Sequence, residues 1–127
     1  MNILIAGSRD FDDYDLLEVT ITQWAKNNPQ INQDEVTIIS GGARGADKLG
    51  ELFAWEYGLK VQQYLADWDT HGKSAGYKRN AQMAEVTDHA FIFWDGISKG
   101  TYHMIQLLDK LEITHQVVVY PKAPWEE

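Results

Sequence analysis

The segment with the clearest chemical potential is glycine-rich and spans residues 40–47, SGGARGAD, between an apolar run and a helical pattern. Glycine lets backbone N–H groups approach a ligand closely, and the N-terminus of a helix adds partial positive charge. A guanidinium beside them favours phosphate or carboxylate. The glycine spacing is neither G-x-G-x-x-G nor G-x-x-x-x-G-K-[ST], so it predicts neither the usual nicotinamide site nor a P-loop.

Three other segments have a similar character: residues 7–11, 66–80 and 95–101. With the first segment they contain, or directly adjoin, all three arginines of the chain and three lysines: Arg9, Arg44, Arg79, Lys73, Lys78 and Lys99. In one loop alone, such residues are better explained by tight turns and surface ion pairs. Four converging loops favour an anion site instead, most simply a phosphate site.

Other chemistries have weaker support. The absence of cysteine excludes disulfides, thiolate zinc sites, iron–sulfur clusters and a cysteine nucleophile. Asp67, Asp69 and His71 alternate as metal ligands can, but a solvated turn explains them better, so we predict no metal site in the chain itself. A Mg²⁺ ion accompanying a nucleotide is left open. Ser8 and Ser40 lack a nucleophile-elbow pattern, so acyl transfer is not supported.

The elements that position these loops follow from hydrophobic periodicity. Apolar runs at residues 2–6, 36–39, 59–64, 90–94 and 116–120 predict five strands, and all but the third are continuous enough to indicate burial on both faces. Four helical patterns alternate with them, at about residues 17–26, 46–57, 75–85 and 101–111. The chain therefore predicts a three-layer, Rossmann-like, doubly wound α/β sheet of five parallel strands in the order 3-2-1-4-5 with four helices.

Composition limits the classes of partner. The chain has 127 residues and a formal net charge of −8. We predict one domain over residues 1–120 and a tail over 121–127, frayed or docked through Trp125. Excess acid argues against a duplex DNA partner, while a small anion fits if the cations are concentrated. Lack of a leader or spanning segment predicts a cytoplasmic protein without a membrane partner.

Residues at the ends of the predicted elements leave alternatives open. Ser98 and Thr101 open the fourth helix, where they either cap it or contact phosphate, and the two roles are compatible. Trp94 is expected in the core, and Trp68 is a candidate for stacking on a base. Exposed aromatic residues are compatible with a homodimer surface, but packing of helices on the sheet would explain them too; they are Tyr14, Trp55 and Tyr102.

Taken together, five segments resemble the small YspA/YpsA-related proteins of the SLOG superfamily: residues 7–11, 40–47, 66–68, 75–83 and 95–101. The resemblance covers almost the whole chain. It implies a Rossmann-like fold that binds nucleotides or nucleotide-derived ligands, and this family is frequent in phages and bacteria. The wider superfamily includes the LOG phosphoribohydrolases, which cleave the N-glycosidic bond of nucleoside monophosphates, and DNA processing protein A, which binds single-stranded DNA.

The convergence of loops and this resemblance define the expected ligand site. Arg44, together with glycines and hydroxyls of two loops, would hold phosphate. Ser8 and Arg9 would close the site. Arg79 and Asn80 would reach the sugar or a second phosphate. The full candidate set is Gly7, Ser8, Arg9, Ser40, Gly41, Gly42, Arg44, Gly45, Asp67, Trp68, Arg79, Asn80, Asp95, Gly96, Ser98, Gly100 and Thr101.

Comparison with the LOG enzymes sets the alternative function. Arg79 and Met83 are similar to their R-x-x-x-M segment, and Gly100-Thr101 matches part of their P-G-G-x-G-T-x-x-E segment, but Met104 stands where they have Glu. Loss of such a carboxylate is worth about 10²–10⁴-fold in rate. An N-glycosidic hydrolase would need another carboxylate, Asp95, Asp47 or Asp10, with Arg79 orienting ribose phosphate. A binder of single-stranded nucleic acid is the third hypothesis, disfavoured by the net charge.

Overall fold

Five parallel strands form one sheet in the computed structural model, which describes residues 1–121. Their order is β3-β2-β1-β4-β5, so the predicted topology is confirmed. The predicted tail, with Trp125, falls almost wholly outside the described residues. The strand bounds differ from the predicted ones by at most two residues at either end: β1 Asn2–Gly7, β2 Thr37–Ser40, β3 Lys60–Gln63, β4 His89–Trp94 and β5 Thr114–Val119.

Four long helices connect the strands as predicted, and a fifth, one-turn helix was not expected. The helices are α1 Tyr14–Lys26, α2 Ala46–Glu56, α3 Trp68–His71, α4 Ala75–Val86 and α5 Lys99–Lys110. The unexpected helix α3 forms because the Asp67 side chain accepts a hydrogen bond from the Thr70 N–H at 3.1 Å. This side-chain cap stabilises a single helical turn inside a segment predicted as a loop.

The core lies on both faces of the sheet. Ile3 and Ile5 of β1 pack toward α1 and α2, while their neighbours Leu4 and Ala6 pack toward α4 and α5. Successive strand side chains point to opposite faces, so a central strand covered by helices on both sides must be apolar throughout. This explains why the run in β1 is continuous, and it fixes the three-layer architecture.

The expectation that β5 is buried on both faces is wrong. Within residues 1–121, β5 pairs only with β4 and forms one edge of the sheet. Val117 and Val119 are 36% and 60% exposed. An apolar run therefore did not distinguish an edge strand from a central one.

Two aromatic residues of the helices, Trp55 and Tyr102, are also exposed. No described helix is long and apolar enough to cross a bilayer.

Candidate ligand-binding site

A cleft of about 440 Å³ opens at the carboxyl ends of the strands. It lies between the loops that follow β1 and β4, and the first turns of α2, α4 and α5 border it. The strand order reverses between β1 and β4. Ligands in open α/β sheets bind at this topological switch point, so the fold directs the converging loops to one place.

Most of the candidate residues meet around this cleft. Those that line it are Gly7, Ser8, Arg9, Arg44, Asp47, Trp68, Arg79, Asn80, Asp95, Ser98, Gly100 and Thr101. Gly41 and Gly42 line an adjoining groove, described below. Ser40, Gly45, Asp67 and Gly96 line neither space. Ser40 instead donates a hydrogen bond to Glu51 at 2.7 Å, which ties the end of β2 to α2.

Charge is distributed differently at the cleft than over the whole chain. Acidic residues outnumber basic ones 19 to 11 in the sequence. Counted over the part of the chain that the structure describes, the cleft reverses this balance, with four cations and three carboxylates: Arg9, Arg44, Lys73 and Arg79, against Asp10, Asp47 and Asp95. Among the described residues, the guanidinium groups of Arg9 and Arg44 have no hydrogen-bond or ion-pair partner. They are therefore available to an anion.

The loops after β1 and β2 contact each other through glycine. A Cβ atom on Gly45 would lie 2.4 Å from the Ser8 carbonyl oxygen, and Gly45 has a φ of +83°. A Cβ on Gly7 would lie 2.0 Å from the Phe93 carbonyl oxygen. The glycine at position 45 lets the start of α2 reach the first loop, where the Ala46 N–H donates to the Ser8 carbonyl at 3.3 Å. Gly45 thus positions the site rather than lining it.

Asp95 and Ser8 join the loops after β4 and β1. The Asp95 N–H donates to Ser8 Oγ at 3.0 Å, and Ser8 is buried. The Asp95 carboxylate accepts from the N–H groups of Ile97 and Ser98 at 2.9 and 2.7 Å and from Ser98 Oγ at 2.8 Å. Burial alone would raise the pKa of Asp95, but these donors outweigh it and the pKa lies below its ordinary value.

This turn also settles the capping question at α5. Ser98 is the N-cap residue, but its side chain makes no capping bond to the helix, because its hydroxyl donates to Asp95 instead. Of the alternatives left open by the sequence, capping of α5 by the Ser98 hydroxyl is therefore not the one that the structure has. The first N–H groups of the helix point toward its N-terminus without a side-chain cap, beside Gly100 and Thr101, which line the cleft.

Arg79 holds two other loops against α4. Its Nη1 donates to the carbonyl oxygens of Gly41 and Tyr64 at 2.8 and 3.4 Å, and its Nε donates to Asn80 Oδ1 at 3.2 Å. Gly41 follows β2 and Tyr64 follows β3. Part of the guanidinium is thus committed to fixing the glycine-rich loop, in addition to its place on the cleft wall.

Asp47, in the first turn of α2, is the most unusual titratable group of the site. Its side chain is almost completely buried, with 5% of the residue exposed, and Oδ2 accepts from the Ala43 N–H at 3.2 Å. Burial raises its pKa from the ordinary 3.8 to about 6, although the Ala43 N–H and the charge of Arg79 oppose the rise. A protonated form is therefore accessible just below neutral pH.

Tyr77 and Lys73 also line the cleft although they lie outside the candidate set, and His103 contacts Asn80, a residue of that set. Tyr77 lines the cleft with Trp68, and about half of each side chain is exposed. Lys73 adds a cation, whereas His103 lies behind Asn80, with its Nδ1 3.3 Å from Asn80 Nδ2. Tyr77 and Lys73 follow β3 in the loop and helix start that the sequence singled out. No spacing in the sequence distinguishes His103.

The floor of the cleft is apolar. Met83 of α4 and Met104 of α5 line it, and both are buried. Met104 therefore faces the site from the position at which the LOG pattern has Glu. Among residues 1–121, no group of three or more His, Asp or Glu side chains is arranged to hold a metal ion.

Comparisons of the sequence with known proteins agree with the resemblance drawn from the motifs. The sequence model of the YspA, cpYpsA-related SLOG family matches residues 1–71. The Gene 61 protein of Mycobacterium phage D29 is 34% identical over 119 residues, which cover 87% of this chain and 90% of that protein. DNA processing protein A from Streptococcus pneumoniae aligns in structure with a TM-score of 0.47 and 17% identity, over 91% of this chain and 57% of its own.

Proposed function

Because the chain belongs to the YspA, cpYpsA-related SLOG family, we propose that its cleft binds a nucleotide or a nucleotide-derived small molecule. The family membership supports a role related to nucleotides or nucleic acids. The protein would act as a sensor or a sequestering module, since binding needs only the groups already arranged around the cleft.

The observation that carries this proposal is the concentration of cations. Four of the eleven basic residues of an acidic chain line one cleft. Two of them, Arg9 and Arg44, have no partner among the described residues. Keeping like charges close together without partners is unfavourable unless an anion neutralises them. A phosphate group suits these arginines, because each guanidinium group can form a pair of hydrogen bonds with two phosphate oxygens.

The helix termini support the same ligand chemistry. Neither α2 nor α5 has a side-chain cap at its N-terminus, and both begin at the cleft. Each terminus contributes unpaired N–H groups and partial positive charge. Polar side chains of the cleft complement this arrangement, because Asn80, Ser98 and Thr101 can form hydrogen bonds with sugar hydroxyls. A ligand that carries both phosphate and hydroxyl groups satisfies both sets.

Charge outside the cleft favours a small ligand over a polymer. A net charge of −8 repels a long polyanion, whereas a small anion inside the cleft lies within about 8 Å, one Debye length, of the local cations. We therefore propose a small molecule, not duplex DNA, as the partner.

The test is calorimetric titration with a panel of nucleoside mono- and diphosphates, with mass spectrometry of whatever the purified protein releases on denaturation. Arg44→Ala should weaken binding by about 10- to 100-fold, as expected for loss of a charge-assisted hydrogen bond. Lys60→Ala is the matched control, since Lys60 is an exposed cation at the start of β3. Equal affinities for wild type and Arg44→Ala, or no binding to any nucleotide, would overturn the proposal.

A second candidate function is N-glycosidic hydrolysis, and the raised pKa of Asp47 favours it. A carboxyl group with a pKa of about 6 can donate a proton to a leaving base near neutral pH. Asp95 is less suited to proton donation, because three hydrogen bonds within its turn stabilise its ionised form. A fourth hydrogen bond, from its backbone N–H to Ser8, fixes its position. Asp47, however, lies beneath the glycine-rich loop and is nearly inaccessible, so binding remains the leading proposal.

Product analysis separates the two functions. A hydrolase releases free base from the nucleotide, and Asp47→Asn should abolish that release while nucleotide binding persists. Asp95→Asn tests the other carboxylate in the same assay. Intact nucleotide recovered after prolonged incubation with the wild-type protein would eliminate the hydrolase.

A further inference from the structure

The three arginines lie at the boundary between two spaces. Next to the cleft is an open groove of about 680 Å³, lined by the loops after β2 and β3. Arg9, Arg44 and Arg79 line both the cleft and the groove, and so does Trp68. The positive charge is therefore central to a continuous surface rather than placed at its far end.

The two spaces differ in chemistry on either side of this centre. The cleft side has hydrogen-bonding groups suited to a sugar, among them Ser98, Asn80 and Thr101. Within residues 1–121, the groove side holds no carboxylate and is formed by Gly41, Gly42, Leu65 and Ala66. It is thus a surface of backbone and apolar side chains beside the arginines.

Leu65 and Gly42 give the groove its shape. Leu65 is 67% exposed, and a Cβ on Gly42 would lie 2.6 Å from Leu65 Cδ2. The leucine therefore lies directly over the glycine backbone. Trp68, 52% exposed, borders the same groove. An exposed leucine and tryptophan beside peptide planes form a surface on which a flat ring can pack.

We propose that the preferred ligand carries its phosphate in the middle of the molecule, as a phosphodiester or pyrophosphate, with a sugar-bearing arm in the cleft and a base-bearing arm in the groove. This inference rests on the proposed function and narrows it to two-armed nucleotides. A mononucleotide places its charge at one end. Bound at the arginines, it fills one space and leaves the other, with its apolar side chains, in water.

The test compares ligands that differ only in the second arm. The probes are the four common nucleoside monophosphates, the corresponding dinucleoside pyrophosphates and the dinucleoside monophosphates, each titrated calorimetrically against the full chain. The best two-armed ligand should bind about tenfold or more tightly than its mononucleotide, at the lower end of what stacking of one base contributes. The pyrophosphate and phosphodiester series distinguish the two possible centres.

Leu65→Ala assigns the gain to the groove. Leu65 lines only the groove, and its exposure makes the substitution harmless to folding. The variant should bind two-armed ligands several-fold more weakly and the mononucleotide as the wild type does. Val61→Ala, a substitution of an exposed apolar residue of β3 outside both spaces, is the control.

The outcomes separate this inference from the proposed function. If mononucleotides bind as tightly as two-armed ligands, or if Leu65→Ala leaves their affinity ratio unchanged, the two-armed ligand is refuted while nucleotide binding stands. If no nucleotide of either kind binds, both proposals fail.

Discussion

Replacing Asp47 with asparagine should remove a pH dependence of stability that arises at the cleft itself. The Asp47 side chain is nearly inaccessible, and burial raises its pKa from 3.8 to about 6. Between these two pH values the folded protein holds a proton that the unfolded chain has released. The free energy of unfolding therefore falls as the pH rises through this window and levels off above it.

The magnitude follows from the shift. At about 1.36 kcal/mol per pKa unit, the rise corresponds to about 3 kcal/mol of stability that the wild type has below pH 3.8 and lacks above pH 6. Asparagine cannot ionise, yet its amide oxygen can still accept the Ala43 N–H. The free energy of unfolding of Asp47→Asn relative to wild type should thus increase by about 2.4 kcal/mol from about pH 4 to about pH 7, because part of the change falls below pH 4.

The assay is equilibrium urea unfolding of both proteins at half-unit pH intervals across this range, with the difference between them plotted against pH. Subtracting the wild-type curve removes the titration of every other carboxylate. Asp12→Asn, which removes an exposed carboxylate, controls for the change in net charge. A difference for Asp47→Asn that stays flat with pH would refute the reasoning, because it would mean that Arg79 and the Ala43 N–H fully offset the effect of burial.

Further predictions concern how the loops and helices are fixed. Gly50→Ala should lower the melting temperature, because the added Cβ would lie 2.7 Å from Ile5 Cβ. A Cβ added at Gly100 meets no described atom within 4 Å, so Gly100→Ala should raise the melting temperature by stabilising α5 by up to about 1 kcal/mol. Ser8→Ala removes the acceptor for a backbone N–H and should reduce the free energy of unfolding by about 1–2 kcal/mol in urea. Arg79→Lys should speed amide hydrogen exchange in residues 41–43 relative to wild type, and unchanged exchange there would contradict its role in fixing that loop.

The order of the sheet could be predicted because it depends on general constraints. Right-handed crossovers between parallel strands leave few arrangements of an alternating chain, and apolar runs such as the one in β1 identify the central strands. The run that became β5 shows where this reasoning stops. Val117 and Val119 are as apolar as residues of β4, but exposure depends on whether a further strand or helix covers them, and hydrophobic periodicity holds no information about that.

The convergence of the candidate loops around one cleft could also be predicted, since strand ends meet at one edge of a parallel sheet. The roles of individual residues could not, because they depend on contacts between residues distant in sequence. Arg79 lies 38 positions from Gly41, whose carbonyl it contacts. Asp95 resembles a free carboxylate in the sequence, but its turn uses both carboxylate oxygens. The helical turn α3 depended on a single cap at Asp67.

Several features of the carboxyl edge of the sheet oppose stability, and their coincidence argues for ligand binding. A carboxylate is buried at Asp47, two long helices lack side-chain caps, and Leu65 and Trp68 expose apolar surface. At the opposite edge, by contrast, Asn2 Nδ2 donates to the Val86 carbonyl, and the Asn2 N–H donates to Asp88. One ring nitrogen of the buried His89 there has no partner among the residues that the structure describes. Sequences depart from local consistency mainly where function requires it. The proposed phosphate-bearing ligand would answer two of these features together, since it would accept from the N–H groups at the helix N-termini and cover the exposed side chains, and it would also neutralise the arginines.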